Sequence, residues 1–423
     1  MAYNKSQKLQ DNIAAIKLVL QLSKEGRTAN DDERAVLRRY SGFGGLKFIL
    51  NPAASDEDKR HWKISDQQYF RPVRELYAII HEYASDDNEE RAIVDSVKRS
   101  VNTAFYTPGA VIDAIASVFK ERGVEVRTML DPSAGIGKFG DSFKQAFFGD
   151  IKVSAFEKDV LTGKILSALN PNDQVTVDGF ETIPAKMQGS FDLATSNIPF
   201  GDIRVMDDEY RRSKNDAKRY SVSTIHNYFF LKALDQVREG GFVAFITSRG
   251  FMDSPSNNPI RQEIAKNARL VGAFRLPDGM FRDEAGTDVG SDLVVLQKVS
   301  GYDMSLDPET QAFCETSKGF KAMSGEDYTD ITMNTFWWQS MMTPDAEVSV
   351  STNMMRGTDP YGKPTLVFTH DGGMDGIAKQ LKEYFSRDLH REYIDYYQEH
   401  APKIEAAVVE QQPEKQAQRP VEE

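Results

Sequence analysis

The residues Ser196-Asn197-Ile198-Pro199-Phe200 follow directly on the run Phe191-Asp192-Leu193-Ala194-Thr195. At a strand end, an asparagine, a proline-restrained backbone and an aromatic ring are the parts needed to grip a planar amine and hold it against an electrophile. The chemistry this suits is methylation of an amino group, with Asn197, Ile198, Pro199 and Phe200 as the candidate residues. Alone, the pattern has a plainer reading: Asn tolerates turn geometry and Pro fixes φ, so Asn-x-Pro-aromatic recurs wherever a strand runs into a turn.

A second motif upstream shifts the balance. Asp131-Pro132-Ser133-Ala134-Gly135-Ile136-Gly137 lies between the apolar Thr128-Met129-Leu130 and the helix-competent Lys138-Phe139-Gly140-Asp141. A strand, a glycine turn and a helix start let backbone N–H groups approach a nucleotide-like ligand, with Gly135 and Gly137 as the points of closest approach. The third glycine of the dinucleotide fingerprint is missing at its usual offset, and Asp131 leads the turn. A second strand, Ile151 to Phe156, ends at Glu157. That is about 20 residues past the glycines, where a nucleotide-binding βαβ unit sets its ribose acceptor. A solvated strand-end carboxylate beside Lys158 and Asp159 is the alternative.

These motifs need a scaffold that gathers them. Gln174 to Val177 reads as a third strand ending at Asp178, and Phe191 to Thr195 as a fourth. Strands alternating with helical segments argue for a parallel sheet covered by helices on both faces. In such sheets ligands bind beyond the carboxyl ends of the strands, so Asp131, Glu157, Asp178 and Asn197 are expected to converge on one crevice. Further along, His226 to Val237 reads as a helix, Phe242 to Thr247 as a strand, and Leu270 to Phe274 with Asp292 to Lys298 as a last pair. His226 reads more simply as a helix-start polar residue than as a catalytic one.

With these residues in hand, the chain resembles the S-adenosylmethionine-dependent, adenine-specific (N6) DNA methyltransferases. Asp131, Pro132, Gly135 and Gly137 match their cofactor loop, Glu157 the ribose acid, and Asn197-Ile198-Pro199-Phe200 the catalytic tetrapeptide. Phe105-Tyr106-Thr107-Pro108 is similar to the motif that caps the methionine end of the cofactor. The resemblance is closer to the helicase-linked methylases of phages, plasmids and conjugative elements. It rests on Arg39 to Gly45, Ile225 to Phe230, Gly240 to Gly250 and Phe274-Arg275-Leu276-Pro277, in that order, and covers roughly residues 35 to 300. It implies S-adenosylmethionine as cofactor, DNA as partner, and a helicase or other mobile-element protein alongside. It also implies that the Asn197 side-chain oxygen and the carbonyl of residue 198 accept the target amine, with Phe200 stacked on the flipped base. One departure stands out: the commoner form has a second proline where this chain has Ile198. Pro199 still biases Ile198 toward extended backbone.

A net charge of −12 is unusual for a protein that meets phosphates. Arg211, Arg212, Lys214, Lys218 and Arg219 nevertheless cluster just after the candidate catalytic residues and are expected to track a DNA backbone; a solvated loop behind Asp207-Asp208-Glu209 is the alternative. The single Cys314 excludes an intramolecular disulfide, and six scattered histidines give no metal site. No run approaches the roughly 20 apolar residues of a membrane span and no signal peptide is visible, so a cytoplasmic enzyme is expected.

The expected organisation is a helical N-terminal region at 1–100 with a turn at Gly42 to Gly45, a methyltransferase domain at 101–300, a C-terminal region at 301–402, and a disordered Glu-, Gln-, Lys- and Pro-rich tail at 403–423. In the C-terminal region, Phe336-Trp337-Trp338 and the loop Gly357 to Gly362 are candidates for DNA contact, the tryptophans equally for packing; a single helical stretch from Gly376 to Tyr397 follows. Two further readings stay open: an enzyme acting on an amine in RNA or protein, and a catalytically silent protein of the same fold that binds DNA in anti-restriction.

Overall fold

Seven apolar runs pair into one sheet. In the computed structural model, which describes residues 4–103, 106–201, 203–281, 290–323, 325–342, 348–359 and 362–402, they are β1 (Thr128–Asp131), β2 (Lys152–Phe156), β3 (Gln174–Thr176), β4 (Phe191–Asn197), β5 (Val237–Ser248), β6 (Ala268–Leu276) and β7 (Ser291–Lys298). Phe105, Pro360, Tyr361 and the tail from 403 lie outside the described residues. The strand order is β3-β2-β1-β4-β5-β7-β6. β1 to β5 are parallel, and β7 runs antiparallel to both β5 and β6.

This is a parallel-dominated, Rossmann-like sheet, as expected, with one strand reversed. β7 inserts between β5 and β6 with reversed direction. Its residues Ser291 to Gln297 are buried throughout, so no alternation of polar and apolar residues marks its direction. The chain steps outward from β1 to β2 and β3, then returns to lay β4 on the other side of β1. The sheet's switch point, where its ligand crevice opens, is therefore between β1 and β4. β5 begins earlier than the expected Phe242, because Gly240 (φ +73°) and Gly241 form a bulge inside the strand. A Cβ on Gly241 would stand 3.0 Å from the carbonyl oxygens of Arg238 and Asp192.

Helices cover both faces. The N-terminal set is α1 (Lys5–Glu25), α2 (Asp31–Leu37), α3 (Phe70–Tyr83) and α4 (Asp87–Thr103). Next come α5 (Gly109–Glu121), α6 (Lys138–Ala146), α7 (Val160–Leu169), α8 (Asp208–Arg211), α9 (Asp216–Ser221), α10 (Ile225–Gln236), α11 (Arg249–Asp253) and α12 (Asn258–Ala265). The last are α13 (Pro308–Cys314), α14 (Thr335–Met342), α15 (Gly373–Asp388) and α16 (Arg391–Glu399). No described helix is long and apolar enough to cross a membrane.

One face is sealed by α5, α6, α15 and α16, where the Phe119 ring meets Phe242 at 5.5 Å and Phe385 at 5.3 Å. On the other face, α10 to α14 pack around Phe230, stacked on Phe251 at 4.0 Å. Trp337 and Trp338 belong to this second core, each 2% exposed, so they serve packing. The stretch from Gly376 to Tyr397 is two helices rather than the expected one. It breaks at Leu389, whose side chain is fully buried and whose carbonyl accepts from Arg122 Nε at 3.0 Å.

The N-terminal helices share a core with Ile136 of the glycine loop and with Leu161, Ile165 and Leu169 of α7. The turn at Gly42 to Gly45 is held from two sides. Asn12 Nδ2 donates to the Gly42 carbonyl at 2.7 Å, and the Phe43 N–H donates to Ser100 Oγ at 3.2 Å. This region thus backs the cofactor-loop side of the sheet.

Candidate active site

β1 and β4 pair side by side, with Leu130 opposite Ala194, so their next residues emerge together at the carboxyl edge. Asp131 ends β1 and Asn197 ends β4. The link between them is Ser196, whose hydroxyl donates to Asp131 Oδ1 at 2.7 Å. Nothing in the sequence separates this serine from an ordinary strand residue; its role comes from facing β1. The Asp131 carboxylate is 1% exposed, and its Oδ2 has no partner among the described residues. Burial pushes its pKa up to about 7.

The glycine loop turns because two residues leave the ordinary backbone region: Gly135 at φ +57° and Gly137 at φ +89°. Side chains are excluded there as well. A Cβ on Gly135 would meet the Tyr106 ring at 2.9 Å, and one on Gly137 would meet Asn170 at 2.7 Å and Leu166 at 2.8 Å. The Gly135 N–H donates to Glu157 Oε2 at 2.8 Å, and the Asp159 N–H to Oε1 at 2.8 Å. Glu157 is thereby fixed just past β2. Burial, opposed by these two donors, pushes its pKa up to about 7.

Tyr106 closes the loop from above, its ring against Gly135 and 5.4 Å from Lys138 Nζ. Thr107 is buried, with Oγ1 lacking a partner among the described residues, and Pro108 caps the start of α5. Pro132 is buried in the turn itself. Asp178 sits exposed beyond β3, accepting from the Gly179 N–H at 2.7 Å. β3 pairs with β2 at Phe156–Thr176, so Asp178 shares the Glu157 edge of the sheet.

An orphaned buried carboxylate oxygen at Asp131, a side-chain-free cradle at Gly135 and Gly137, and an anchored acceptor at Glu157 fit a nucleoside carrying an ammonium group. Asp131 and Thr107 would face its polar tail, and Glu157 its ribose hydroxyls. Hydroxyl donors favour the ionised carboxylate, so binding would draw the proton from Glu157. Cofactor affinity is therefore expected to rise with pH through about 7, by at most about tenfold per unit per proton. Glu157→Gln should flatten that dependence in calorimetric titrations. The sign for folding is opposite. A raised carboxylate pKa means the folded state holds the proton longer, so the Glu157 contribution to stability declines between its ordinary value of 4.5 and about 7.

Ile198 differs from the commoner proline in a way the structure explains. Its N–H donates to the Ile246 carbonyl at 3.0 Å, extending the β4–β5 ladder by one residue, and its side chain is 1% exposed in the core. Ile198→Pro removes that hydrogen bond but keeps the carbonyl. Chemical denaturation should show a loss of about 1–2 kcal/mol. Pro199 and Phe200 follow at the rim, both half-buried. His226 is the second residue of α10, buried, with Nε2 3.3 Å from Asn257 Nδ2.

The five basic residues separate into two groups. Arg211 and Arg212 are exposed and loosely paired with Asp208 at 3.3 and 3.8 Å, while Lys214 is exposed with no ion pair among the described residues. Lys218 and Arg219 are half-buried, paired with Asp235 at 2.7 Å and with Asp216.

Residues 12–276 match the family described as Eco57I restriction-modification methylase. Over 196 residues the chain is 30% identical to "Defense against restriction protein B" of Escherichia phage P1, which takes in 46% of this chain and 8% of the phage protein. Over 207 residues it is 23% identical to the type II methyltransferase M.BsuBI of Bacillus subtilis, taking in 43% of this chain and 40% of that protein. The chain thus spans well under half the length of either relative. A methyltransferase subunit of a type I restriction-modification system from Streptococcus thermophilus is similar at 12% identity and TM-score 0.40, over 81% of this chain and 92% of that one.

Proposed function

Because the chain belongs to the Eco57I restriction-modification methylase family, whose methyl donor is S-adenosylmethionine, we propose that it methylates the exocyclic amine of adenine in DNA after the base has left the duplex. The observation that carries this reading is the Ser196 bridge. It ties the end of β4, with Asn197, to the cofactor-side Asp131 across the switch point. An amine-gripping element and a nucleoside cradle are then two walls of one crevice.

In this reading each residue has a defined task. When bound, S-adenosylmethionine supplies an electrophilic methyl on its sulfonium. The Asn197 side-chain oxygen and the Ile198 carbonyl accept the two amine hydrogens, which favours pyramidal nitrogen and stabilises its developing positive charge. Phe200 stacks on the base. Holding both partners in line is the remaining contribution, with proximity worth roughly 7–11 kcal/mol.

DNA is the proposed partner; a helicase of the same mobile element is a second, carried by the resemblance alone. Of the five basic residues, Arg211, Arg212 and Lys214 are the ones free enough to meet phosphate. Neutralising these three should lower the salt slope of DNA binding by roughly one for each phosphate that no longer meets a cation. Neutralising Lys218 and Arg219 should act on stability instead.

The deciding experiment is incubation with methyl-labelled S-adenosylmethionine and single- or double-stranded DNA, followed by digestion to nucleosides. Label in N6-methyladenine supports the proposal; label confined to cytosine, RNA or protein overturns it. The name of the phage relative favours a second reading, a role in defence against restriction that needs no methyl transfer. DNA binding with no label in any product would select it.

A further inference from the structure

Beyond the cofactor crevice, a cleft of about 660 Å3 opens between α9, the start of α10, and α12 with the segment leading into it. Its place in the fold follows from the strands. Asn197 stands opposite Ile246 in the parallel β4–β5 pair, and Gly250 lies two residues past the end of β5, in α11. Asn257, in the cleft wall, donates from Nδ2 to the Gly250 carbonyl at 2.8 Å. The cleft therefore lies at the same carboxyl edge as Asn197.

Asn227, one of the residues lining the cleft, carries a buried acceptor without a donor among the described residues. Asn227 is 4% exposed; its Nδ2 donates to Asn257 Oδ1 at 2.8 Å, and its Oδ1 has no partner among the described residues. The orientation is fixed, because Asn257 Nδ2 is already engaged with Gly250 and its own oxygen must accept. A buried carbonyl-type oxygen without a donor is unfavourable by itself and is satisfied by a ligand N–H. The walls disfavour an anion as that ligand. Glu263 is paired with Lys266 at 2.7 Å and Asp216 with Arg219, so among the described residues these pairs leave no free cation in the cleft lining. At the rim, Tyr220 is 69% exposed and offers a ring face.

A neutral, planar molecule with an N–H edge meets all three conditions. Resting on the reading of the chain as a DNA methylase, we propose that this cleft takes a nucleobase flanking the target adenine, stacked on Tyr220 and donating to Asn227 Oδ1. The site would then set part of the recognised sequence while taking no part in the chemistry.

The test is selection of a randomised DNA pool, single- and double-stranded, by the full chain, with the bound fraction sequenced. Asn227→Leu should reduce the base preference at one position from about tenfold to under about twofold, with cofactor affinity unchanged. Tyr220→Ser should weaken binding of the whole pool several-fold and keep the preference order. Identical selection by wild type and Asn227→Leu overturns the proposal, as does a wild type without base preference. If Asn227→Leu does not fold, exposed Tyr220 carries the test, and unchanged affinity of Tyr220→Ser overturns it. The two readings fail separately. Base-selective binding without labelled methyladenine removes the methylase reading and keeps the cleft, whereas normal methylation with unaltered selection removes the cleft alone.

Discussion

Replacing Asn197 by alanine is expected to lower methyl transfer by roughly 10²–10³-fold while S-adenosylmethionine binding stays unchanged. The separation follows from how the residue is held. Its backbone belongs to the β4–β5 ladder opposite Ile246, which truncating a side chain leaves intact. The residues proposed to meet the cofactor, Asp131, Gly135 and Glu157, are held by the neighbouring strand and the glycine loop. On the proposed role, what disappears is one preorganised acceptor for developing charge. Single-turnover incorporation of labelled methyl, set beside calorimetric cofactor binding, checks it. Equal loss of both would remove Asn197 from the amine-gripping role.

The second large effect concerns stability. Arg275 in β6 is 1% exposed and pairs with Asp292 of β7, Nε to Oδ1 at 2.9 Å, and with Asp253 at 2.7 Å. The Trp337 ring covers its guanidinium at 4.6 Å. Asp292 is fully buried, and burial pushes its pKa up against the opposing pull of Arg275. Arg275→Met leaves that carboxylate without its cation, so urea denaturation should show a loss of about 3–5 kcal/mol. Adding Asp292→Asn should recover part of it, because both charges then leave together. Additive losses would show that the pair is not coupled.

Much of the site is legible from the chain because its signals are local. A strand followed by Asp131-Pro132 and two glycines, an acid at Glu157, and Asn197 ahead of Pro199 each declare themselves within a few residues. The sheet strands are equally plain as apolar runs. What stays hidden is relational. The reversal of β7 leaves no trace in its fully buried face. The bulge at Gly240 and Gly241 is indistinguishable from a turn until β4 lies beside it. Ser196 matters only because Asp131 is across from it, and Lys218 is engaged only because Asp235, seventeen residues on, is brought back beside it by α10. The break at Leu389 is set by packing, since the helical spacing runs through it without a glycine or proline.

The sealing of one sheet face by α15 and α16 bears on the order in which the protein is made. Tyr397 Oη donates to the Glu125 carbonyl at 2.6 Å, and Lys382 pairs with Glu121 at 2.6 Å, contacts that join residues more than 250 positions apart. A ribosome delivers Phe119 and Phe242 long before Phe385 and Tyr397 can cover them. Until α15 and α16 have left the exit tunnel the nascent chain therefore carries an open aromatic face, a natural site for chaperone capture.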